Sequence, residues 1–369
     1  MNKSLICILP SFFDNSGHEI DFINILLKIA NKKKLKINFL LPKNNILKVA
    51  ADHKKELFGS YDSIFIFKFF YIIGNYFILL KRLKRLKKDD LVYIDGYSCY
   101  FLISFILHLL TNRNLKNLVI WIRYPYDNFI KKYIFKFFIY SFNKDSNKQL
   151  ISITENTNLA KLLNKRFSIK VSSLPSHHNL EKFHIIDKKN KSNNSKINIL
   201  CPGSFRPEKF GVNLLNFLEN NIENKKNFIL NINKKFKDFY KNTHKFNIRF
   251  VKDGLQKFEY VKAIHGSDII ILPYDFRDYK LRTSGIFFEA ISIGKIVFVT
   301  FNTLMAKELK KNNLEQLIVK NWSNMSIQYF INIKNDKSIK RKLLKMKTNY
   351  IKINSKENFI NKFIEIIEK

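Results

Sequence analysis

Apolar runs that end at or near a proline constrain the fold of this 369-residue chain more than any other feature. The chain has only seven prolines, and several of them close a short run of Val, Ile and Leu residues. Such runs, bounded by chain breakers, are typical of strands that are covered on both faces, as in parallel sheets. The runs that we assign as strands cover residues 5–9, 37–41, 119–122, 197–201 and 269–272.

Between the strands lie segments of helical length in which apolar residues recur every three or four positions. Strands that alternate with helices predict parallel sheets joined by right-handed crossovers. We therefore predict an α/β fold of doubly wound, Rossmann-like domains. The clearest helical segments cover residues 19–31, 97–110, 211–221, 258–265 and 285–293.

The chain is too long for one hydrophobic core, so two domains are expected. A polar run, DKKNKSNNSK, occupies residues 187–196 and has no apolar residue to bury. It marks the boundary between the domains. We predict an N-terminal Rossmann-like domain over 1–185, a linker over 186–196, a C-terminal Rossmann-like domain over 197–350, and a final helix over 351–369, with a return to the first domain as one option.

The excess of 66 Lys and Arg over 30 Asp and Glu gives a formal net charge of +36. Nucleic-acid binding, work at an anionic membrane surface, or a genome that favours Lys, Asn, Ile and Phe codons would each explain this charge. The lysines are spread along the chain and form no module with aromatic residues, so no nucleic-acid partner is expected. Cys7, Cys99 and Cys201 lie far apart in apolar surroundings, which argues against a disulfide framework and fits a reducing cytoplasm.

Two cations follow the first predicted strand of the second half. Arg206 and Lys209 lie in the segment PGSFRPEKFG, which leads from that strand into a helix. Backbone N–H groups at a helix start, together with two cations, suit an anion such as a pyrophosphate. An ordinary strand-to-helix turn with solvated charges is the alternative.

A second segment, LRTSGIFFEA, also connects a strand to a helix and contains Ser284, Gly285 and Glu289. Glycine lets a phosphate approach the start of the helix closely. Glu289 lies about one turn further into an otherwise apolar helix, where a carboxylate without partners would be costly. The hydroxyls of a ribose would supply such partners, as would a neighbouring lysine or a backbone N–H group.

These residues, with the strand that ends at Pro273 and the Gly294-Lys-Ile-Val strand, resemble the C-terminal donor domain of GT-B glycosyltransferases, especially retaining family four. The resemblance covers roughly residues 197–300. The resemblance implies two Rossmann-like domains that face a cleft, with the acceptor-side domain at the N-terminus and the nucleotide-sugar donor domain at the C-terminus. It implies that Arg206 and Lys209 contact the donor pyrophosphate and take part in catalysis.

The same resemblance implies roles for the second segment. Ser284 and Gly285 would bind donor phosphate through backbone N–H groups, and Glu289 would bind the ribose and count among the catalytic residues. Leu281 stands where the family often has a second acidic residue, so the identity of the sugar does not follow. Arg282 beside it is a candidate contact for the acceptor or the transferred sugar.

In the first half, residues 16–19 follow the first strand and resemble the glycine-containing loop that closes over the donor in this fold, with a helix N-cap as the alternative. Gly17 is then a predicted phosphate contact and His18 a predicted contact for acceptor or sugar. Arg123 and Asp127 lie at the carboxyl end of a strand, where open α/β sheets bind ligands. We predict that both contact the acceptor or the transferred sugar.

No Asp-x-Asp triplet occurs in the chain, although metal-dependent glycosyltransferases typically hold a divalent ion with one. His177 and His178 have no acidic or cysteine partner at metal-ligand spacing, so a surface loop is the favoured interpretation for them. We therefore predict no metal and no cofactor. Arg206 and Lys209 would instead neutralise the leaving group.

The sequence thus favours an enzyme: a metal-independent, retaining glycosyltransferase. It would move a sugar from a nucleotide diphosphate sugar to a glycan or lipid-linked acceptor in cell-surface polysaccharide synthesis. The alternatives are a sugar-nucleotide epimerase or synthase on the same fold and a non-enzymatic, basic polyanion-binding protein.

Residues 71–88 place an apolar stripe between basic side chains, a pattern typical of helices that lie at a membrane interface. Packing of the stripe on the domain's own sheet is the equally weighted alternative. The first residues show no signal-peptide pattern, and the longest apolar stretch, 64–80, is interrupted by polar residues and glycine. We expect a cytoplasmic protein with peripheral association at the inner face of the cell membrane.

Overall fold

The computed structural model describes residues 3–13, 19–46, 53–58, 65–112, 114–175, 196–253, 255 and 257–368. The chain forms two compact α/β units, each built on one parallel sheet. The first unit comprises Met1–His177 and Lys356–Lys369, and the second comprises His178–Ser355.

The first unit has a seven-stranded sheet in the order β3-β2-β1-β4-β5-β6-β7. Every pair of neighbouring strands is parallel. Its elements are β1 Ser4–Ile8, α1 Glu19–Lys32, β2 Lys36–Pro42, β3 His53–Leu57, α2 Phe65–Leu83, β4 Leu91–Ile94, α3 Cys99–Thr111, β5 Asn117–Trp121, α4 Phe129–Asn143, β6 Gln149–Thr154, α5 Thr157–Phe167 and β7 Val171–Ser173.

The second unit has a six-stranded parallel sheet in the order β10-β9-β8-β11-β12-β13. Its elements are β8 Ile197–Cys201, α6 Pro207–Asn220, β9 Phe228–Asn233, α7 Phe236–Phe239, β10 Ile248–Val251, α8 Lys257–Gly266, β11 Ile269–Leu272, α9 Phe276–Tyr279, α10 Gly285–Ser292, β12 Ile296–Thr300, α11 Leu304–Lys311, β13 Ile318–Val319, α12 Ile327–Asn335 and α13 Lys337–Ile353. The last helix of the chain is α14, Lys356–Ile367.

The central strands are apolar along their length because helices cover both faces of each sheet. In β5, Leu118 and Ile120 pack in the core beneath α2, α3 and α4, whereas Val119 and Trp121 pack beneath α1 and α14. The prediction of doubly wound α/β domains is therefore confirmed.

The C-terminal helix α14 belongs to the first unit. Its Phe359 ring stacks on Trp121 with the ring centroids 5.8 Å apart, and Phe22 of α1 contacts Phe359 edge-on at 6.2 Å. Phe363 is also fully buried in this core. The segment after α13 thus supplies part of the hydrophobic core of the first unit.

Helix α2 ends earlier than the sequence pattern indicated. The helix was predicted to reach Lys88, but it stops at Leu83. Beyond it, the Asp90 carboxylate accepts hydrogen bonds from the backbone N–H groups of Lys87 and Ser4, and this competes with helical hydrogen bonding. Leu79 and Leu83 are fully buried in the first unit's core. Among the described residues, no helix is both long and apolar enough to cross a membrane.

Candidate active site

The second sheet has a topological switch point between β8 and β11. From β8 the strand order runs outward to β9 and β10 on one side, and the later strands lie on the other side. Open parallel sheets bind ligands beyond the carboxyl ends of the strands at such a point. The segments that begin at Pro202, after β8, and at Pro273, after β11, therefore flank the expected site.

Gly203 lets the loop after β8 approach helix α10. Its φ of +104° lies in the left-handed region, which favours glycine. A Cβ atom at this position would lie 2.9 Å from Cδ1 of Ile286 in the first turn of α10. The two motifs that the sequence presented separately are thus adjacent in the fold.

The start of α10 presents backbone donors. The Ser284 hydroxyl caps the helix by accepting a hydrogen bond from the N–H group of Phe287 at 3.3 Å. Helix geometry leaves the N–H groups of Gly285 and Ile286 without acceptors inside the helix. The helix dipole and these N–H groups favour a negative charge at this end.

Three cations converge on the same region, and we call Arg206, Lys209 and Arg282 the cation cluster. Arg206 is exposed and precedes Pro207, which starts α6. Neither Arg206 nor Lys209 forms an ion pair within the described parts of the chain. Burial, followed by the charges of Arg206 and Arg282, lowers the pKa of Lys209 to about 8, although Glu208 opposes the shift.

Two tyrosine rings that are tilted against each other lie beside two of the cations. The rings of Tyr274 and Tyr279 lie 4.4 Å apart between centroids. The Lys209 ammonium lies 5.7 Å from the Tyr274 ring centroid, and the Arg282 guanidinium lies 5.0 Å from that of Tyr279. The Tyr274 hydroxyl is buried beside Ser284, so the tyrosine pair connects the cations to the start of α10.

Lys295 is a second buried lysine of this unit and provides a comparison for Lys209. Its pKa is likewise lowered to about 8 by burial. Its ammonium, however, donates to the carbonyl oxygens of His265 and Ser267 at 2.7 and 2.6 Å. Among the described residues, the Lys209 ammonium has no such carbonyl partners and lies beside the Tyr274 ring.

Glu289 lies one turn into α10 and is only 2% exposed. The hydroxyl of Tyr260 in α8 donates to its Oε2 at 2.6 Å. Burial, the Glu289 charge and this hydrogen bond raise the pKa of Tyr260 well above its ordinary value. The partners predicted for Glu289 from the sequence, namely a ribose, a lysine or a backbone N–H group, did not include a tyrosine.

In the first unit, Arg123 is held by a buried carboxylate at the corresponding switch point. Asp95 follows β4 and is fully buried, and its two oxygens accept from Nε and Nη2 of Arg123 at 2.7 and 2.6 Å. Burial disfavours the charged guanidinium, but Asp95 outweighs this and raises the pKa of Arg123 above its ordinary value. The predicted contact of Arg123 with an acceptor would therefore have to be made by a side chain that already has a partner.

Asp127 lies at the surface, 71% exposed, and pairs with Arg166 at 2.8 Å. Gly17, His18 and the His177-His178 pair lie outside the described residues, and so does most of the predicted linker 186–196. Within the described part of the chain, no group of three or more His, Cys, Asp and Glu side chains is arranged to hold a metal ion.

Two aromatic residues of the site were missed from the sequence. Tyr274 directly follows Pro273 at the carboxyl end of β11, and this position was a usable signal. Tyr260 gave no local signal, because only the packing of α8 against α10 brings its hydroxyl to Glu289. The structure also places Arg282 with the phosphate candidates, whereas the sequence suggested a contact with acceptor or sugar.

Solved structures with this architecture include several glycosyltransferases. Sucrose-phosphate synthase from Thermosynechococcus elongatus matches with a TM-score of 0.69 at 9% identity, over 99% of this chain and 98% of that chain. WaaG, a glycosyltransferase involved in lipopolysaccharide biosynthesis, matches with a TM-score of 0.64 at 13% identity, over 98% and 99%. Anabaena HepE in complex with UDP and glucose matches with a TM-score of 0.65 at 10% identity, over 99% of each chain.

No family model matches the sequence, and no curated protein matches it. The similarity to these solved structures shows the fold, which is the GT-B architecture with two Rossmann-like domains, as predicted. Membership of retaining family four stays a prediction from the motifs of the second unit.

Proposed function

We propose that this protein is a glycosyltransferase that uses a nucleotide diphosphate sugar as its donor. The main support is the cation cluster, which lies with the start of α10 at the switch point of the second sheet. Like charges raise the free energy of the unliganded site, and a bound pyrophosphate would reverse this. Perturbed titratable groups at such a position are typical of functional sites.

In this proposal the chemistry is electrostatic. As the bond between sugar and pyrophosphate breaks, negative charge builds on the leaving nucleoside diphosphate. Arg206, Lys209 and the N–H groups of α10 would stabilise that charge. The cluster would thus do what a divalent ion does in metal-dependent enzymes, and no cofactor would be required.

The similarity to HepE makes uridine diphosphate sugars the first donors to test, since HepE is described in complex with UDP, with UDP-glucose, and with UDP and glucose. We further propose a glycan or lipid-linked acceptor, a role in cell-surface polysaccharide synthesis, a cytoplasmic location at the inner membrane face, and a retaining outcome. The last of these rests on the resemblance to family four.

A synthase that transfers sugar to a small acceptor is the second candidate. It is favoured by the likeness to sucrose-phosphate synthase and to the Burkholderia multivorans trehalose 6-phosphate synthase, which matches with a TM-score of 0.66. Acceptor assays with small sugar phosphates and with lipid-linked glycans would distinguish the two candidates.

A panel of nucleotide sugars tests the proposed function without knowledge of the acceptor. One nucleoside diphosphate and its sugars are expected to raise the melting temperature selectively. At a ligand concentration of a hundred times the dissociation constant, the free energy of unfolding should rise by about 2.7 kcal/mol. A chelator is expected to leave both this stabilisation and turnover unchanged. Loss of binding in the chelator, with recovery on adding manganese or magnesium, would contradict metal independence. Uniform stabilisation by every polyanion, including heparin, would favour the polyanion-binding alternative.

The lowered pKa of Lys209 predicts a specific pH dependence. Nucleoside diphosphate binds the protonated ammonium, whose pKa is about 8 in the free protein. Affinity should therefore fall as pH rises through this value, by about tenfold between roughly pH 7 and pH 9. The Lys209→Arg variant is the control, because arginine keeps its charge throughout this range and should show a flat profile. A flat profile for the wild-type protein, measured by calorimetry, would show that Lys209 does not meet the phosphate.

A further inference from the structure

Helix α4 has an outer face that no described residue of its own unit covers. Its inner face buries Phe135, Phe138 and Phe142 in the core of the first unit. The outer face carries large apolar side chains that are between 49% and 70% exposed. These are Phe129, Ile130, Tyr133, Phe137 and Tyr140.

The exposed rings form neighbouring pairs along the helix and are not scattered. Phe129 and Tyr133 have ring centroids 4.4 Å apart, and Phe137 and Tyr140 have stacked rings at 6.4 Å. A single exposed apolar side chain needs no explanation, but a continuous row of this kind marks an interaction surface.

Basic residues are interleaved with this row. Lys131, Lys132 and Lys136 are exposed on α4, and the helix contains no acidic residue. Aromatic rings beside lysines suit the boundary of an anionic bilayer, where the rings enter the headgroup region and the ammonium groups meet lipid phosphates. A second copy of the chain fits this face poorly, because two such surfaces would bring six ammonium groups together without a counter-charge.

We propose that the outer face of α4 docks on an anionic phospholipid surface. The pattern in residues 71–88 predicted α2 as the membrane-docking helix, but Leu79 and Leu83 of its apolar stripe are buried in the core. Arg82 of α2 already forms an ion pair with Glu56. Helix α2 also exposes Phe69, Phe70 and Phe77. Helix α4, however, has five exposed apolar side chains in one row together with three exposed lysines, so α4 is the surface that we assign to lipid.

This inference deepens the proposed function, because it names the surface that would bring the enzyme to a lipid-linked acceptor. In that respect it rests on the proposed function. Binding to vesicles requires neither donor nor turnover, however. If the protein binds nucleotide but not vesicles, the docking surface is wrong and the proposed function stands. If it binds vesicles but not nucleotide, the proposed function is wrong and the docking surface stands.

The test is co-sedimentation of the full-length protein with vesicles of phosphatidylcholine alone or mixed with phosphatidylglycerol. Wild-type protein should bind the mixed vesicles and lose affinity as salt rises. Replacing Phe129, Tyr133 and Phe137 together by Gln should weaken binding about tenfold or more at every salt concentration, because the rings no longer enter the bilayer boundary. These side chains are exposed, so the melting temperature should be unchanged.

A second variant and two controls separate the contributions. Replacing Lys131, Lys132 and Lys136 by Gln should remove the preference for anionic vesicles and flatten the salt dependence. Controls matched for exposure, Phe258→Gln with Leu344→Gln, lie in the second unit and should bind like wild type. Lys84→Gln with Arg85→Gln tests the basic segment after α2 and should have the smaller effect.

The proposal is overturned by equal binding of wild-type protein to neutral and anionic vesicles, or by an aromatic variant that binds like wild type. It is also overturned if only the Lys84 and Arg85 replacements abolish binding. A wild-type dimer in light scattering that the α4 variants dissociate, with no binding to vesicles, would assign the face to a second copy of the chain.

Discussion

Replacing Lys209 by Ala is expected to weaken nucleoside diphosphate binding by about one to two decades and to leave binding of the matching nucleoside unchanged. The ammonium would meet phosphate and not ribose, and a hydrogen bond to a charged group is worth roughly 1.5–3 kcal/mol. Arg206→Ala should act in the same direction. The double variant should fall short of the sum of the two losses, because both cations would contact the same group. Calorimetry against uridine, adenosine and guanosine diphosphates measures each loss.

The control for these variants is Lys311→Ala. Lys311 is an exposed lysine of the second unit that pairs with Glu308 at 2.7 Å. The Lys311→Ala variant loses the same formal charge outside the proposed site, so its affinity for nucleoside diphosphate should equal that of the wild-type protein. If Lys311→Ala and Lys209→Ala weaken binding equally, the cations act only through net charge and the polyanion-binding alternative gains.

Glu289→Gln is expected to weaken binding of both the nucleoside and its diphosphate by the same factor, about one to two decades. Glutamine keeps the volume of the side chain but loses the charge that would accept bonds from the ribose hydroxyls. A carboxylate has acceptor capacity for several hydrogen bonds, so the bond from Tyr260 is compatible with this role. A polyanion binder predicts the opposite, since removal of a negative charge would leave affinity unchanged or slightly raised.

Tyr260→Phe serves as the companion to this variant. It leaves the charge of Glu289 in place but removes the hydroxyl that orients Oε2. Affinity should fall by about two- to tenfold, the usual value of one hydrogen bond. The Tyr260→Phe, Glu289→Gln double variant should be no weaker than Glu289→Gln alone, because the tyrosine would act through the carboxylate. Unchanged nucleotide affinity in Glu289→Gln, with the melting temperature intact, would remove ribose binding from the proposal.

The strands buried on both faces were the most predictable part of the fold. The runs 197–201 and 269–272 match β8 and β11 to the residue, because continuous apolar stretches have few other uses in a domain of this size. Strand β3 was not recognised, since its sequence HKKEL is polar. It pairs only with β2 at the edge of the sheet, where side chains remain exposed and apolar character is not required.

The helices show where local pattern stops being informative. An apolar stripe beside basic residues describes both α2 and α4, and the sequence singled out α2. Packing decides differently: Leu83 of α2 points into the core, whereas Phe129 and Tyr133 of α4 point away from it. Helical periodicity predicts that a face exists, but not what covers that face.

The sequence by itself determined that the chain has two parallel α/β sheets. It also placed Arg206, Lys209, Ser284 and Glu289 in segments that lead from a strand into a helix. These features depend on neighbours in the chain, namely apolar runs, breakers and helix starts. The tertiary structure alone decided that Gly203 brings the first motif against the second, that Arg282 joins the cations, and that Tyr260 is the partner of Glu289. Each of these contacts joins residues far apart in sequence, and strand order and helix packing, which no local pattern encodes, bring them together.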